Sequence, residues 1–343
     1  MQQAGQRVHV GGPYFEDFAV GQMYAGPGTT LTAGHAALHQ AIVGDRLRLV
    51  LDDELAYAVT GRRGSLTHPN LVCDVSIGQS TEPTFRVHGN LFYRGLVLQR
   101  PVFLGETLRT TTEVVGLKQN KPRADGTATG LVALRIRTVD QDGQAVLDYW
   151  RCPMIPLRES RAQTGHADRF EAIPSGLATE DVRAALPDHW SFRTARAEMP
   201  GRHGAELVAG TVYEIEGRDT VTAGPELARL TLNVARTHTD AGAGGHGHRL
   251  VYGGYTISIA AAQTARALPN LLTILAWRSC EHTGPVFEGD ILSTELTLEA
   301  VELVELDGDS CWLLDLRALV VAHRADGHEP APVLDWRFIG LMA

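Results

Sequence analysis

Between residues 232 and 255 the chain sets out groups that can move a proton and face negative charge. The order is Leu232-Asn233-Val234-Ala235-Arg236-Thr237-His238-Thr239-Asp240, a glycine-rich stretch, then Arg249-Leu250-Val251-Tyr252-Gly253-Gly254-Tyr255. A histidine of near-neutral pKa can accept and return a proton, whereas an Asn amide can orient water but cannot take its proton. Two glycines opening a helix offer backbone N–H groups and the positive end of the helix dipole, with no Cβ in the way. Asp240 suits capping or orienting as well as catalysis. His246-Gly247-His248 could be pictured around a metal, but no third ligand stands at a settled spacing, so the expectation is a loop and no metal.

The scaffold that must hold these groups is written twice. Residues 93–108 read YRGLVLQRPVFLGETL and residues 277–292 read WRSCEHTGPVFEGDIL, so Arg94/Arg278, Phe103/Phe287 and Gly105/Gly289 pair at one offset, 184 from Pro101 to Pro285. With small insertions the relation extends to Thr30–Gly34 against Thr220–Gly224, Leu134-Arg135 against Leu316-Arg317, and Val146–Asp148 against Val333–Asp335. Loops change length after a duplication while elements persist. The copies run roughly over 14–155 and 203–343, which sets an N-terminal module at 1–155, a linker at 156–202 and a C-terminal module at 203–343.

Within each copy the pattern is helix first and strands after. Ala36, Leu38, Ala41 and Ile42 recur at helical spacing up to Gly44-Asp45, then a loop leads to a second helix after Pro69. In copy two that helix spans about Tyr255–Leu268 and stops at Pro269; its small residues predict a buried position. Strands are expected at Leu108–Val115, Gly130–Val139 and Ala145–Pro153, and again at Ile291–Leu303, Cys311–His323 and Val333–Leu341, with turns at Asp142-Gly143, Asp307-Gly308 and Asp326-Gly327. Residues 156–202, punctuated by Pro174, Pro187 and Pro200, read as a surface linker with a short helix at Thr179–Leu186 capped by Thr179.

The segment from Asn233 to Gly254 resembles the MaoC-like, R-specific enoyl-CoA hydratases, whose motif is D-x-N-P-[I/L]-H-x-D before a glycine-led helix. The tandem repeat, the RLVYGG run and the HTGPVFEGD block look most like the double-hotdog branch of that family, the mesaconyl-CoA hydratases. The resemblance implies an α+β fold of two hotdog modules, each a long central helix wrapped by a bent antiparallel sheet. It also implies reversible hydration of a 2-enoyl-CoA, with CoA arriving as the carrier of the substrate and no other cofactor. Asn233 falls at the family's catalytic Asp, His238 at its catalytic His and Asp240 at the trailing Asp, while the turn at Gly253, Gly254 and Tyr255 takes the thioester oxygen. In copy one Asp45 keeps the Asp position, Val50 replaces the His, and His68-Pro69 stand where the glycines would be. Asp45 is therefore expected to be the relic of a lost site rather than part of a second one.

Water addition to an unsaturated thioester needs a base for water, a proton for the α-carbon and stabilisation of the enolate oxygen. His238 would carry most of that proton work. Arg236, Arg249, Arg278 and Arg94 are candidates for CoA phosphates or a substrate carboxylate, although the recurrence of Arg94 and Arg278 also fits pairing with a strand-end carboxylate. Thioester hydrolysis is the alternative reaction, which would favour Asp45 or Asp240, and acyl-CoA binding without turnover is the third reading.

Composition narrows the partners. The chain has 343 residues, 44% hydrophobic and 21% charged, and a formal charge of −9. No Lys/Arg stripe appears and Lys118 and Lys121 are the lysines, so nucleic acid is not an expected partner. The apolar stretch Tyr255–Trp277 is interrupted by Gln263, Arg266 and Pro269 and does not read as a membrane span, and the N-terminus lacks a secretory pattern. A cytoplasmic protein is expected, assembling as a homo-oligomer, with Cys73, Cys152, Cys280 and Cys311 as reduced core residues.

Overall fold

A computed structural model describes residues 7–122, 126–243, 247–325 and 327–343; His246 and Asp326 fall outside them. The first module runs β1 (Met23–Ala25), β2 (Thr29–Thr30), α1 (Ala33–Val43), α2 (Arg48–Leu51), α3 (Asp53–Thr60), α4 (Pro69–Gln79), β3 (Gly89–Leu98), β4 (Thr107–Gln119), β5 (Thr129–Val139) and β6 (Ala145–Pro156). Two helices, α5 (Thr179–Ala184) and α6 (Phe192–Glu198), intervene. The second module runs β7 (Val212–Glu214), β8 (Asp219–Thr220), α7 (Gly224–Leu230), α8 (Gly253–Ala267), β9 (Leu271–Glu281), β10 (Ile291–Leu306), β11 (Asp309–His323) and β12 (Ala331–Met342).

The described strands join in one 12-stranded antiparallel sheet with β3 and β9 adjacent at its middle, where Leu96 pairs with Trp277 and Val97 with Ala276. The seam is aromatic. Trp277 meets Tyr93 and Trp336 edge to face, both with centroids 5.7 Å apart, a geometry that adds to simple area burial. Strands β3 and β9 were not among those the alternation marked. Leu271–Trp277 is a nearly continuous apolar run, as befits a strand covered on both faces, and such a run has no period of two to read.

Every residue of α4 is buried, as are Gly254–Ala265 of α8. The two helices touch through polar groups: Asn70 Nδ2 donates to Ser258 Oγ at 3.4 Å, and Ser258 Oγ donates to Asp74 Oδ2 at 3.3 Å. Equivalent contacts elsewhere are kept by exchange. Phe15, in a 3-10 turn, fills the space over Gly130 of β5, whereas in the second module Gly204, in the matching turn, lies under Trp312 of β11, so the aromatic ring has moved from turn to strand while the contact is kept.

Two readings of the connecting segments need correction. The stretch between Gly44 and Pro69 holds α2 and α3, the latter capped by Asp52 Oδ1 accepting the Glu54 and Leu55 N–H groups. Residues 156–202 are not a strap lying on the surface. Val182, Ala185, Trp190, Phe192, Ala195 and Met199 are buried in a second core cluster with Leu49, Leu66, Phe103 and Leu275. The proline spacing concealed this because the apolar residues between the prolines are too few per helix to show a period. Helix α5 begins after Ala178, with Thr179 as its first residue and no side-chain cap.

Helix α4 also approaches the second module closely at Gly78. A Cβ there would stand 1.7 Å from the Thr231 carbonyl oxygen and 3.2 Å from the Asn233 amide nitrogen. Gly78→Ala is therefore expected to cost at least about 1–3 kcal/mol as overpacking against backbone. Thermal denaturation should show a lowered Tm; an unchanged Tm would mean that this contact is not tight in solution.

Candidate active site

The site is built on the loop that follows α7. Leu232 adopts φ 62°, where its counterpart in copy one is Gly44 at φ 66°. The left-handed turn reverses the chain so that Asn233 Oδ1 accepts the Ala235 N–H at 3.0 Å, just as Asp45 Oδ1 accepts the Leu47 N–H. The side-chain cap leads into a single 3-10 turn, Arg236–His238. A non-glycine residue in that conformation carries strain, which a structure retains when its surroundings over-determine it. Here copy one does so: Thr81 Oγ1 accepts the Val234 N–H at 2.9 Å and the Phe85 carbonyl accepts the Arg236 N–H at 3.1 Å.

His238 Nδ1 is 2.8 Å from the Leu250 carbonyl oxygen. A carbonyl only accepts, so Nδ1 carries the proton and Nε2 keeps its lone pair. Burial pushes the His238 pKa down to about 4, against the raising effect of that hydrogen bond. The imidazole is thus a neutral base held in one tautomer.

Asn233, His238 and Gly253 line a single cavity of about 320 Å³ between the modules. Thr81, Thr84, Asn90, Tyr93 and Arg151 of copy one form its other wall, with Tyr252, Thr256 and His282 from copy two. His282 went unmarked in the sequence, although it opens the HTGPVF block. Its pKa is pushed down to about 4 by burial and then by neighbouring His238. A Cβ on Gly253 would lie 2.6 Å from its Nε2, so glycine at 253 makes room for an imidazole rather than for an acyl group.

Several expected site residues stand elsewhere. A Cβ on Gly254 would meet Asp74 Oδ1 at 2.0 Å, so this glycine serves the contact between α4 and α8, and a larger residue there would damage folding before turnover. Burial raises the Asp74 carboxyl to about 7 against the opposing hydrogen bonds of Tyr252 and Ser258. Tyr255 is buried with its hydroxyl donating to the Ile42 carbonyl at 3.2 Å. Asp240 is exposed and accepts the Gly242 N–H at 2.9 Å, a turn-capping role. Arg249 is paired with Glu288, Arg278 with Asp315, and Arg94 lies 4.0 Å over the Phe92 ring; none of the three lines the cavity, nor does Arg236. Arg94 and Arg278, marked by their recurrence in the repeat, lie on β3 and β9, and Arg278 meets the carboxylate pairing that the recurrence also suggested; a recurrence does not tell the outer face of a strand from the inner.

The corresponding region of copy one is closed. Asp45 Oδ2 lies 3.1 Å from His68 Nε2, with the two side chains 1% and 3% exposed. The Leu47 amide and His68 hold the Asp45 carboxyl below its usual range although burial alone would raise it. Between Leu66, Pro69, Val102 and Leu275 only about 20 Å³ of space remains, and Ala185, just beyond α5, closes it. That is room for one water at most. Among the described residues no group of three His, Cys, Asp or Glu side chains is placed to hold a metal, and no helix is long and apolar enough to cross a membrane.

Two sheet-wrapped helices joined through β3 and β9, with a histidine loop at one end of the joint, define a MaoC-like double hotdog protein. A conserved hypothetical protein of Mycobacterium tuberculosis with a double hotdog fold is 46% identical and superposes with a TM-score of 0.88 over 98% of this chain and 100% of that one. A MaoC-domain protein of Chloroflexus aurantiacus is 27% identical, with a TM-score of 0.79 over 96% and 97%. The family model for mesaconyl-CoA hydratase matches residues 3–269, and the chain belongs to that family. Mesaconyl-CoA hydratase of Cereibacter sphaeroides is 30% identical over 93% of this chain and 91% of its own length. Beta-methylmalyl-CoA dehydratase of Chloroflexus aurantiacus is 31% identical over 96% and 97%.

The buried imidazoles have a consequence for acid solution. With folded pKa values near 4 for His238 and His282 against an ordinary 6.5, the unfolded chain binds more protons between those limits, so stability falls as pH drops from about 6.5 toward 4. Ring resonances followed by NMR should show both imidazoles neutral at pH 6; a His238 midpoint near 6.5 would contradict the buried, neutral base.

Proposed function

We propose that the chain catalyses reversible hydration of a 2-enoyl-CoA thioester in the cavity between its modules, with a short or branched acyl group such as mesaconyl. The observation that carries this reading is the single-tautomer His238, whose Nε2 lone pair serves a cavity that also receives the N-terminal turn of α8. Membership of a hydratase family supports it.

His238 Nε2 takes a proton from water as the water oxygen bonds to the β-carbon. The C=C π pair moves toward the thioester, and the enolate oxygen is met by the first N–H groups of α8, which have no intrahelical acceptors. The imidazolium then returns its proton to the α-carbon, completing the 3-hydroxyacyl thioester. Asn233 has its carbonyl oxygen committed to the Ala235 amide and offers the Nδ2 hydrogens to hold the attacking oxygen. Proton transfer therefore rests on one base where the family motif has an Asp/His pair. Only side chains and backbone amides are engaged, and CoA is present as part of the substrate.

Loss of conjugated thioester absorbance with a panel of enoyl-CoAs tests the reaction. His238→Ala is expected to reduce hydration by roughly 10²–10⁴-fold, the usual worth of a positioned acid/base. Asp45→Asn, made in the closed copy, should leave most of the activity in protein shown to be folded. Release of free CoA thiol in place of hydration would establish the thioesterase reading instead.

A further inference from the structure

His282 is the titratable group of the cavity that the hydration steps leave without a task. It follows β9 directly and lines the cavity with His238 and Gly253. Its Nε2 is buried with no hydrogen-bond partner among the described residues. Leaving a buried polar atom unpaired destabilises a fold, so one that is kept at a cavity wall points to a partner that comes with the ligand. The position of the ring is set by a glycine. A Cβ on Gly253 would lie 2.6 Å from Nε2 and 2.7 Å from Cε1, so the edge of the imidazole rests against the first residue of α8, at the turn whose N–H groups have no intrahelical acceptors.

The repeat shows what the imidazole is coupled to. At the same offset of 184 residues His282 answers Leu98. His68 precedes α4 as Tyr252 precedes α8, so Gly253 answers Pro69. Leu98 and Pro69 line the small closed space of the first module, as His282 and Gly253 line the open cavity. Leucine has no N–H on its side chain and proline none on its backbone. The copy with an open cavity therefore has two possible donors at one spot, and the filled copy has neither. His238 does not meet the same need, because its Nδ1–H is committed to the Leu250 carbonyl and its Nε2 is a lone pair. Burial and neighbouring His238 keep the His282 ring neutral at pH 7, with one N–H and one lone pair.

We infer that His282 is a catalytic residue whose Nε2–H donates a hydrogen bond to the thioester oxygen beside the Gly253 amide, so that a neutral imidazole serves as an electrophile in the hydration. As the water oxygen bonds to the β-carbon and the C=C pair shifts toward the thioester, negative charge gathers on that oxygen. The N–H at Nε2 meets the charge and keeps its proton. Proton balance is unchanged: His238 takes one proton from water and returns it to the α-carbon. A neutral donor suits the task better than an imidazolium, which would repel the cation formed at His238 in the same cavity. The inference rests on the hydratase reading above and gives each of the two buried histidines a separate duty.

The test replaces the ring in two ways. His282→Phe keeps a flat ring without the N–H, and His282→Gln keeps an N–H donor near Nε2 without the acid/base chemistry of imidazole. On the enoyl-CoA of the panel that the wild-type protein hydrates fastest, His282→Phe is expected to lower kcat by roughly 10²–10³-fold with KM changed less than about threefold, and His282→Gln to recover at least about tenfold of that loss. Unchanged kcat in His282→Phe would overturn the inference. A Gln variant as inactive as the Phe variant would do the same, by assigning the imidazole to proton transfer or to folding. A second measurement needs no hydration. Butyryl-CoA has the thioester but no C=C, and its carbonyl stretch should move to lower frequency on binding to the wild-type protein, a shift that His282→Phe reduces and His282→Gln keeps. Should no enoyl-CoA of the panel be hydrated, the hydratase reading fails on its own, and the stretch still decides the role of His282; no shift in the wild type, or an equal one in His282→Phe, would refute the contact.

Discussion

The close approach of Gly78 to the Thr231 carbonyl is the contact on which the loop bearing Asn233 and His238 depends. A helix can come within reach of a neighbouring backbone only where it lacks a side chain, and at Gly78 the hydrogen in place of Cβ lets α4 meet the loop after α7. From that contact the rest follows in sequence. Thr81 and Phe85, at and beyond the end of the same helix, hold the Val234 and Arg236 amides, so the strained turn at Leu232 stays folded and Asn233 and His238 are fixed. The loop belongs to one module by sequence and to the other by restraint.

Joining the sheets through β3 and β9 places each module's helix behind its partner's loop, and this geometry could serve two cavities related by the duplication. One is open and one is filled. In the filled one Asp45 has found a buried partner in His68, and the apolar residues after α5 cover what remains; His68 caps α4 as Tyr252 caps α8, so Pro69 and Asn70 stand where the glycines are, one residue later than the sequence alignment sets them. A carboxylate next to an imidazole satisfies both groups without solvent. The residue pair best suited to acid/base exchange thus lies where no substrate of any size can reach it.

The duplication, the strand meander and the small-residue helix were legible because they are patterned: the offset from Pro101 to Pro285 carries a whole turn with its flanking apolar positions, and β11 and the first half of β10 alternate between buried and less buried residues. Asn233 and His238 were legible because local spacing and family motif coincide. What could not be read is what depends on distant chain segments meeting. His282, just after β9, and Arg151, on β6, enter the cavity from segments outside the motif, and no local pattern separates Arg151, buried and without a carboxylate partner among the described residues, from Arg135, which meets Asp148 on the same sheet. The glycines at 253 and 254 were visible as a pair, but their separate duties toward His282 and Asp74 exist only after the helices pack.

Carrying both modules on one chain alters how such a protein can change. In a symmetric pair of identical subunits every substitution appears twice, so an imidazole useful in one cavity must be tolerated in the other. Here His282 and Leu98 occupy matching places with opposite chemistry, and an imidazole at 98 would have to fit beside Pro69, where only about 20 Å³ of space remains. Fusion frees each copy to drift separately. One half carries the histidine loop and the other the wall that faces it, a division that two identical subunits could not make.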